Sequence, residues 1–152
     1  MSRGSRFRYA LQPVLLTRQW ELDALMQELS TANAELAETQ QHLAQLAQQM
    51  QDVSTAWEAE TAQGLNPSRF ALVTRYLAEL AAQRQQQEKI LAQRQQVRVE
   101  LIDKVSKARR AVDAAEEHRD GELAKFTREQ MSAQFKEADD QWSTAQTGRN
   151  DD

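Results

Sequence analysis

The residues able to do chemistry are few in this chain. It has two histidines, His42 and His118, and no cysteine. A catalytic base must converge with other polar groups in a partly dry pocket. Glu116-Glu117-His118 sets carboxylates beside an imidazole, but sequence neighbours on a helix point to different faces, so no metal site is expected. Each histidine reads as a solvated helix residue. Neither a glycine-rich phosphate loop nor an HExxH pair occurs. No disulfide or thiolate centre can form, no cofactor is implied, and an enzyme is not expected.

Basic residues are the other candidates. Arg3, Arg6 and Arg8 interleave with Phe7 and Tyr9 in the first nine residues, and such an arm could touch phosphate. Four arginines within residues 1–18 are too few to make nucleic acid the partner of a chain with net charge −4. A loose arm lying on an acidic protein surface is the preferred reading. A membrane-surface helix would need a strongly basic polar face, and nothing is apolar enough to span a bilayer or to act as a secretory leader.

Composition identifies the elements that carry these residues. The 152 residues include four glycines, two prolines and nine aromatics, with 28% charged and 40% hydrophobic. Turns are built from Gly, Pro, Asn and Asp, so this chain cannot fold back often. Its wealth of Ala, Gln, Glu, Leu and Arg reads as long helix. The single cluster of breakers is Gly64-Leu65-Asn66-Pro67-Ser68. There Gly64 stops one helix, Asn66 caps the next and Pro67 takes its first position. The fold class predicted is all-α, a long two-helix antiparallel coiled-coil hairpin. It divides into a basic arm (1–9), a first helix (10–63), a turn (64–68), a second helix (69–145) and a frayed acidic tail (146–152). Pro13 falls in the first turn of its helix, where it is tolerated.

Apolar spacing in the first helix alternates three and four. Leu15, Leu22, Leu29, Leu36, Leu43, Met50 and Trp57 take one heptad position. Leu11, Arg18, Leu25, Ala32, Thr39, Leu46 and Val53 take the other. This is a coiled-coil seam. The second helix is rougher. Phe70, Val73, Leu77 and Leu80 are followed by Arg84 and Gln87, then by Ile90, Val97, Leu101, Val105, Ala108, Val112 and Ala115, with an apparent stutter near Leu101.

Charge favours pairing within one chain. Residues 19–68 hold eight acidic residues and no Lys or Arg, whereas 69–112 hold ten basic and four acidic. Folding about Asn66 lays residue i roughly beside 131 − i, acid along base; repetition favours this partner over a like segment. A monomer is therefore expected when the protein is free.

The opening Phe7-Arg-Tyr-Ala-Leu-Gln-Pro-Val-Leu15, followed by Arg18 and heptads from Glu21, resembles the start of the FliJ family and of its injectisome counterparts, the YscO-type proteins. That resemblance implies the central stalk of a type III export ATPase. Such a stalk inserts into the hexameric ATPase, promotes its turnover, and contacts the export gate membrane protein and secretion chaperones. It would be cytoplasmic and peripherally associated with the inner-membrane secretion apparatus. Carried onto this chain, Arg6, Phe7, Arg8, Leu11, Val14, Leu15 and Arg18 fall in the ATPase-binding opening, with Arg8 and Arg18 facing the ATPase. Trp57, Leu65, Phe70 and Tyr76 near the turn are candidates for the gate, or close the apolar end of the hairpin. The irregular, Gln- and Ala-rich second helix leans towards an injectisome. A generic coiled-coil scaffold is the competing reading, and a prefoldin-like holding chaperone a third.

Overall fold

The computed structural model describes residues 5–150, which form two helices, α1 (Gln12–Thr61) and α2 (Pro67–Asn150). They are antiparallel arms of an all-α hairpin, as the breaker pattern predicts. Residues 1–4 of the predicted arm, including Arg3, and residues 151–152 of the predicted tail lie outside the described residues.

The turn follows from its residues. The last bonds of α1 tighten, with the Gln63 amide donating to the Glu60 carbonyl at 3.2 Å and the Gly64 amide to that of Thr61 at 3.2 Å. Gly64 then adopts φ +125°, a region in which a Cβ is strained. The Asn66 side-chain oxygen accepts from the Ser68 amide at 3.1 Å, and its carbonyl accepts from the Phe70 amide at 3.0 Å. These bonds satisfy donors that a helix start leaves open. Pro67 has no amide to satisfy, and Arg69 Nε reaches back to the Glu60 carboxylate at 2.8 Å.

Two compact units share the helices. One comprises residues 23–106; among the described residues the other joins 5–22 to 107–150. In the first, Ala32, Leu36, Thr39 and Leu46 of α1 are buried with Leu80 and Leu101 of α2. Thr39 is the buried polar residue of this core, at 1% exposure. Its hydroxyl donates to the Glu35 carbonyl at 3.1 Å and accepts from Arg94 Nη1, which also donates to that carbonyl at 2.7 Å. One turn away, Arg98 Nε donates to the Asn33 side-chain oxygen at 2.8 Å.

These arginines correct the reading of the second helix. Val97, placed on the stripe by its apolarity, is 47% exposed. Between Gln87 and Val105 the positions withdrawn from solvent are Gln87, Ile90, Leu91, Arg94, Leu101 and Val105, while Arg98 is exposed and reaches α1 through Asn33. Arginine stems cover apolar surface while their head groups reach polar partners. The charge account is corrected in part. Arg69 pairs with a carboxylate of α1, but Arg94 and Arg98 donate to neutral oxygens of α1.

In the second unit Leu15 and Val112 are buried. The arm is not loose over its described part. Ser5 Oγ accepts from Gln130 Nε2 at 2.9 Å, Phe7 packs on Phe126 with ring centroids 5.5 Å apart, and the Tyr9 hydroxyl meets His118 Nδ1 at 2.6 Å. These contacts, with the Tyr9 and His118 rings also 5.6 Å apart, offset the entropy of ordering so short a segment. Beyond this arm, α2 continues helical through Asn150, past Gln146 where composition points to fraying.

Two glycines give opposite expectations. Gly64→Ala forces a Cβ into a strained backbone and should cost about 1–2 kcal/mol. Gly121 sits inside α2, where an added Cβ meets nothing within 4 Å. Gly121→Ala should therefore stabilise by about 0.5–1 kcal/mol. Urea unfolding followed by circular dichroism measures both, and the two midpoints should move in opposite directions.

Candidate protein-binding surfaces

Among the described residues no group of three or more histidines and carboxylates is placed to hold a metal. His42 lines an open groove with Gln45, Gln49, Gln83, Gln86 and Gln87. His118 is engaged by Tyr9 on one ring nitrogen, and its Nε2 lies 3.9 Å from Glu122. The features available for function are surfaces on which apolar side chains remain exposed.

The first lies at the terminal end. Leu11, Val14 and Arg18 are spaced three and four apart, so the helix presents them on one face. Leu11 and Val14 are each nearly half exposed. Arg18 lies 3.6 Å from Glu21 at the surface, a contact worth little in water. Arg6 and Arg8 are exposed on the arm. Leu15 is separated from this face, because at 1% exposure it belongs to the seam. Phe7 is half-buried against Phe126. Val14 and Arg18 line one groove with Pro13, Thr17 and Glu21, whereas Arg6 and Arg8 line another with Glu122, Lys125 and Glu129.

The second surface surrounds the turn. Trp57 is half-buried and packs on Phe70 with ring centroids 5.9 Å apart, closing the end of the seam. Phe70 keeps half of its surface exposed, as does Tyr76, and Leu65 is 73% exposed. Trp57 is thus a packing residue, whereas Leu65, Phe70 and Tyr76 remain available. Leu72, 65% exposed and one turn before Tyr76, was missed by sequence reasoning. Its spacing from Tyr76 was the signal.

Further residues were overlooked on α2. Met131, Phe135 and Trp142 are all more than half exposed. With Ala138 they recur at steps of four, three and four, a helical stripe of the second helix beyond Ala115, where the sequence reading of the seam stopped. Trp20 of α1 is likewise 66% exposed, off the seam and away from the motif. Scattered exposed apolar residues are ordinary on a protein surface; contiguous ones mark contacts with partners.

Among the described helices none is long and apolar enough to cross a membrane. Comparison with known families gives one match. The model for the Flagellar FliJ protein family covers residues 7–150, starting at the first residue of the Phe7–Leu15 motif. Neither the curated proteins nor the solved structures gave a match. The family description is flagellar, whereas the Gln- and Ala-rich, irregular second helix had leaned towards an injectisome. A motif at the arm, a hairpin with a single turn and a family match over nearly the whole chain agree: this protein belongs to the FliJ family, the stalk proteins of flagellar type III export.

Proposed function

We propose that this protein is the central stalk of a type III export ATPase complex. Its terminal end engages the hexameric ATPase through Arg6, Arg8, Leu11, Val14 and Arg18, with Phe7 and Leu15 holding that surface in place. Its turn-proximal residues Leu65, Phe70 and Tyr76, with Leu72, contact the export gate, and secretion chaperones dock along the hairpin. The protein works in the cytoplasm, held at the inner membrane by those partners. The observation that carries the reading is the family match over residues 7–150, supported by the one-faced exposure of Leu11, Val14 and Arg18.

The physical logic is that of a positioning element. Catalysis by the ATPase requires groups supplied at its own subunit interfaces. A stalk contributes only a difference in contact free energy between conformations of the ring. Each helix runs unbroken, and in both units the two pack against each other, so a contact made at one place is resisted by the seam. Arginines on an exposed face raise the rate of encounter with an acidic ring interior and set orientation, without requiring a dry interface.

Charge reversal tests this directly. Arg8→Glu combined with Arg18→Glu should weaken binding to the purified hexameric ATPase by about 10- to 100-fold and abolish stimulation of its turnover. Helical content should stay at the wild-type level, because both side chains are exposed. Binding and stimulation that survive the double substitution would rule out this end as the ATPase contact.

A further inference from the structure

The resemblance that marks Arg8 is confined to the first residues of the chain, yet the fold sets a residue of α2 beside it. Phe7, Arg8, Tyr9 and Gln12 line one groove together with Arg119, a concavity of about 440 Å³. From these observations we infer that Arg119 and Arg8 form a two-guanidinium cleft that receives a carboxylate from an acidic segment of the partner protein.

The cleft is built by the arm's own contacts. Tyr9 is held by His118, the residue just before Arg119, through the 2.6 Å bond. Phe7 is held by Phe126. These anchors on either side of Arg8 fix its backbone against α2 and bring two like charges into one groove. Guanidiniums are permanently charged, so their proximity carries a repulsion that an anion between them would relieve. The chain's own carboxylates do this in part: Glu122 and Glu129 line an adjoining groove with Arg6, Arg8 and Lys125, without an ion pair to Arg8 among the described residues. Residues 1–18 contain no acid. Asp120 lies 3.6 Å from Arg119 Nη2 at 69% side-chain exposure, a contact that water largely screens. Among the described residues Arg8 has no ion pair.

The chemistry selects a carboxylate on a peptide. Planar guanidinium forks match a carboxylate in bidentate geometry. The walls formed by Phe7 and Tyr9 suit the apolar stem of a glutamate or aspartate. Asp120, with Glu122 one turn from His118, keeps the neighbourhood from favouring a dianionic phosphate. Arg119 becomes a recognition residue that no motif in the arm predicts, and the partner surface is a composite of arm and α2. The identity of the partner as the ATPase rests on the stalk reading; the carboxylate preference does not.

The test uses the full chain labelled with nitrogen-15, titrated at low ionic strength with a hexaglutamate peptide and, as control, hexaglutamine. The arginine Nε–H resonances of Arg8 and Arg119 should shift together and saturate with hexaglutamate alone, while that of Arg149 stays in place. Arg119→Gln, with helical content unchanged, should weaken the peptide about tenfold and remove the saturable shift of Arg8, as expected when one of two charge-assisted partners is lost. Equal, non-saturating shifts at all arginines, or unchanged affinity in Arg119→Gln, would overturn the inference. So would equal binding of the hexameric ATPase by wild type and Arg119→Gln when Arg8→Glu abolishes it. Saturable peptide binding with no ATPase binding by the wild type would sustain the cleft and refute the stalk reading.

Discussion

A helix with an apolar stripe as regular as that of α1 cannot stand alone in water, and everything else in this protein follows from how that stripe is covered. Burying apolar surface is non-directional; leucine against leucine would accept pairing one heptad too far in either direction. Thr39 removes that freedom. It is almost wholly buried, and its hydroxyl together with the Glu35 carbonyl takes up Arg94. Slippage by a heptad would cost the half-buried Arg94 both of these acceptors and leave the Thr39 hydroxyl without its donor. Among the described residues no buried side-chain polar atom is unsatisfied, so the layer specifies register without a standing desolvation penalty.

Register matters because both proposed functional surfaces are composites. At the turn, Phe70 must arrive against Trp57 for Leu65, Leu72 and Tyr76 to stand out together. At the other end, His118 and Phe126 must arrive against Tyr9 and Phe7 for the arm to be held. Within residues 23–106, fixing one polar layer in the seam thus sets the contacts at the turn. A stalk needs this property, since a hairpin that slipped would present different faces to its partners.

Much of this was legible in residue types. Four glycines and two prolines allow one turn, and Gly64, Asn66 and Pro67 place it. The stripe from Leu15 to Trp57 gives α1 its buried face. The second helix was harder to read because apolarity was used as the marker of the seam. Val97 is apolar but exposed, whereas Arg94 is charged and half-buried, since a long side chain can lie on a core and still reach an oxygen. The arm was misjudged for a related reason. Its arginines suggested a loose basic segment, while Phe7 and Tyr9 between them make the contacts, and their partners Phe126 and His118 lie more than a hundred residues away. Nothing in local sequence announces a pairing at that distance; it follows only after the hairpin register is known. For the same reason Arg119 could not be joined to Arg8, and the stripe of Met131, Phe135 and Trp142 was passed over because the seam was followed only as far as Ala115.

The absence of cysteine from the chain makes its central claim open to a clean experiment. Asn33→Cys with Arg98→Cys places two thiols at positions whose native side chains are in hydrogen-bond contact. With a short bismaleimide, which spans the gap left by the two hydrogen-bonded side chains, at micromolar protein concentration the account predicts an internally cross-linked monomer of about 17.4 kDa plus the linker. Covalent dimers in its place, or no cross-link at all, would contradict an intramolecular hairpin in this register and remove the frame on which both binding surfaces depend.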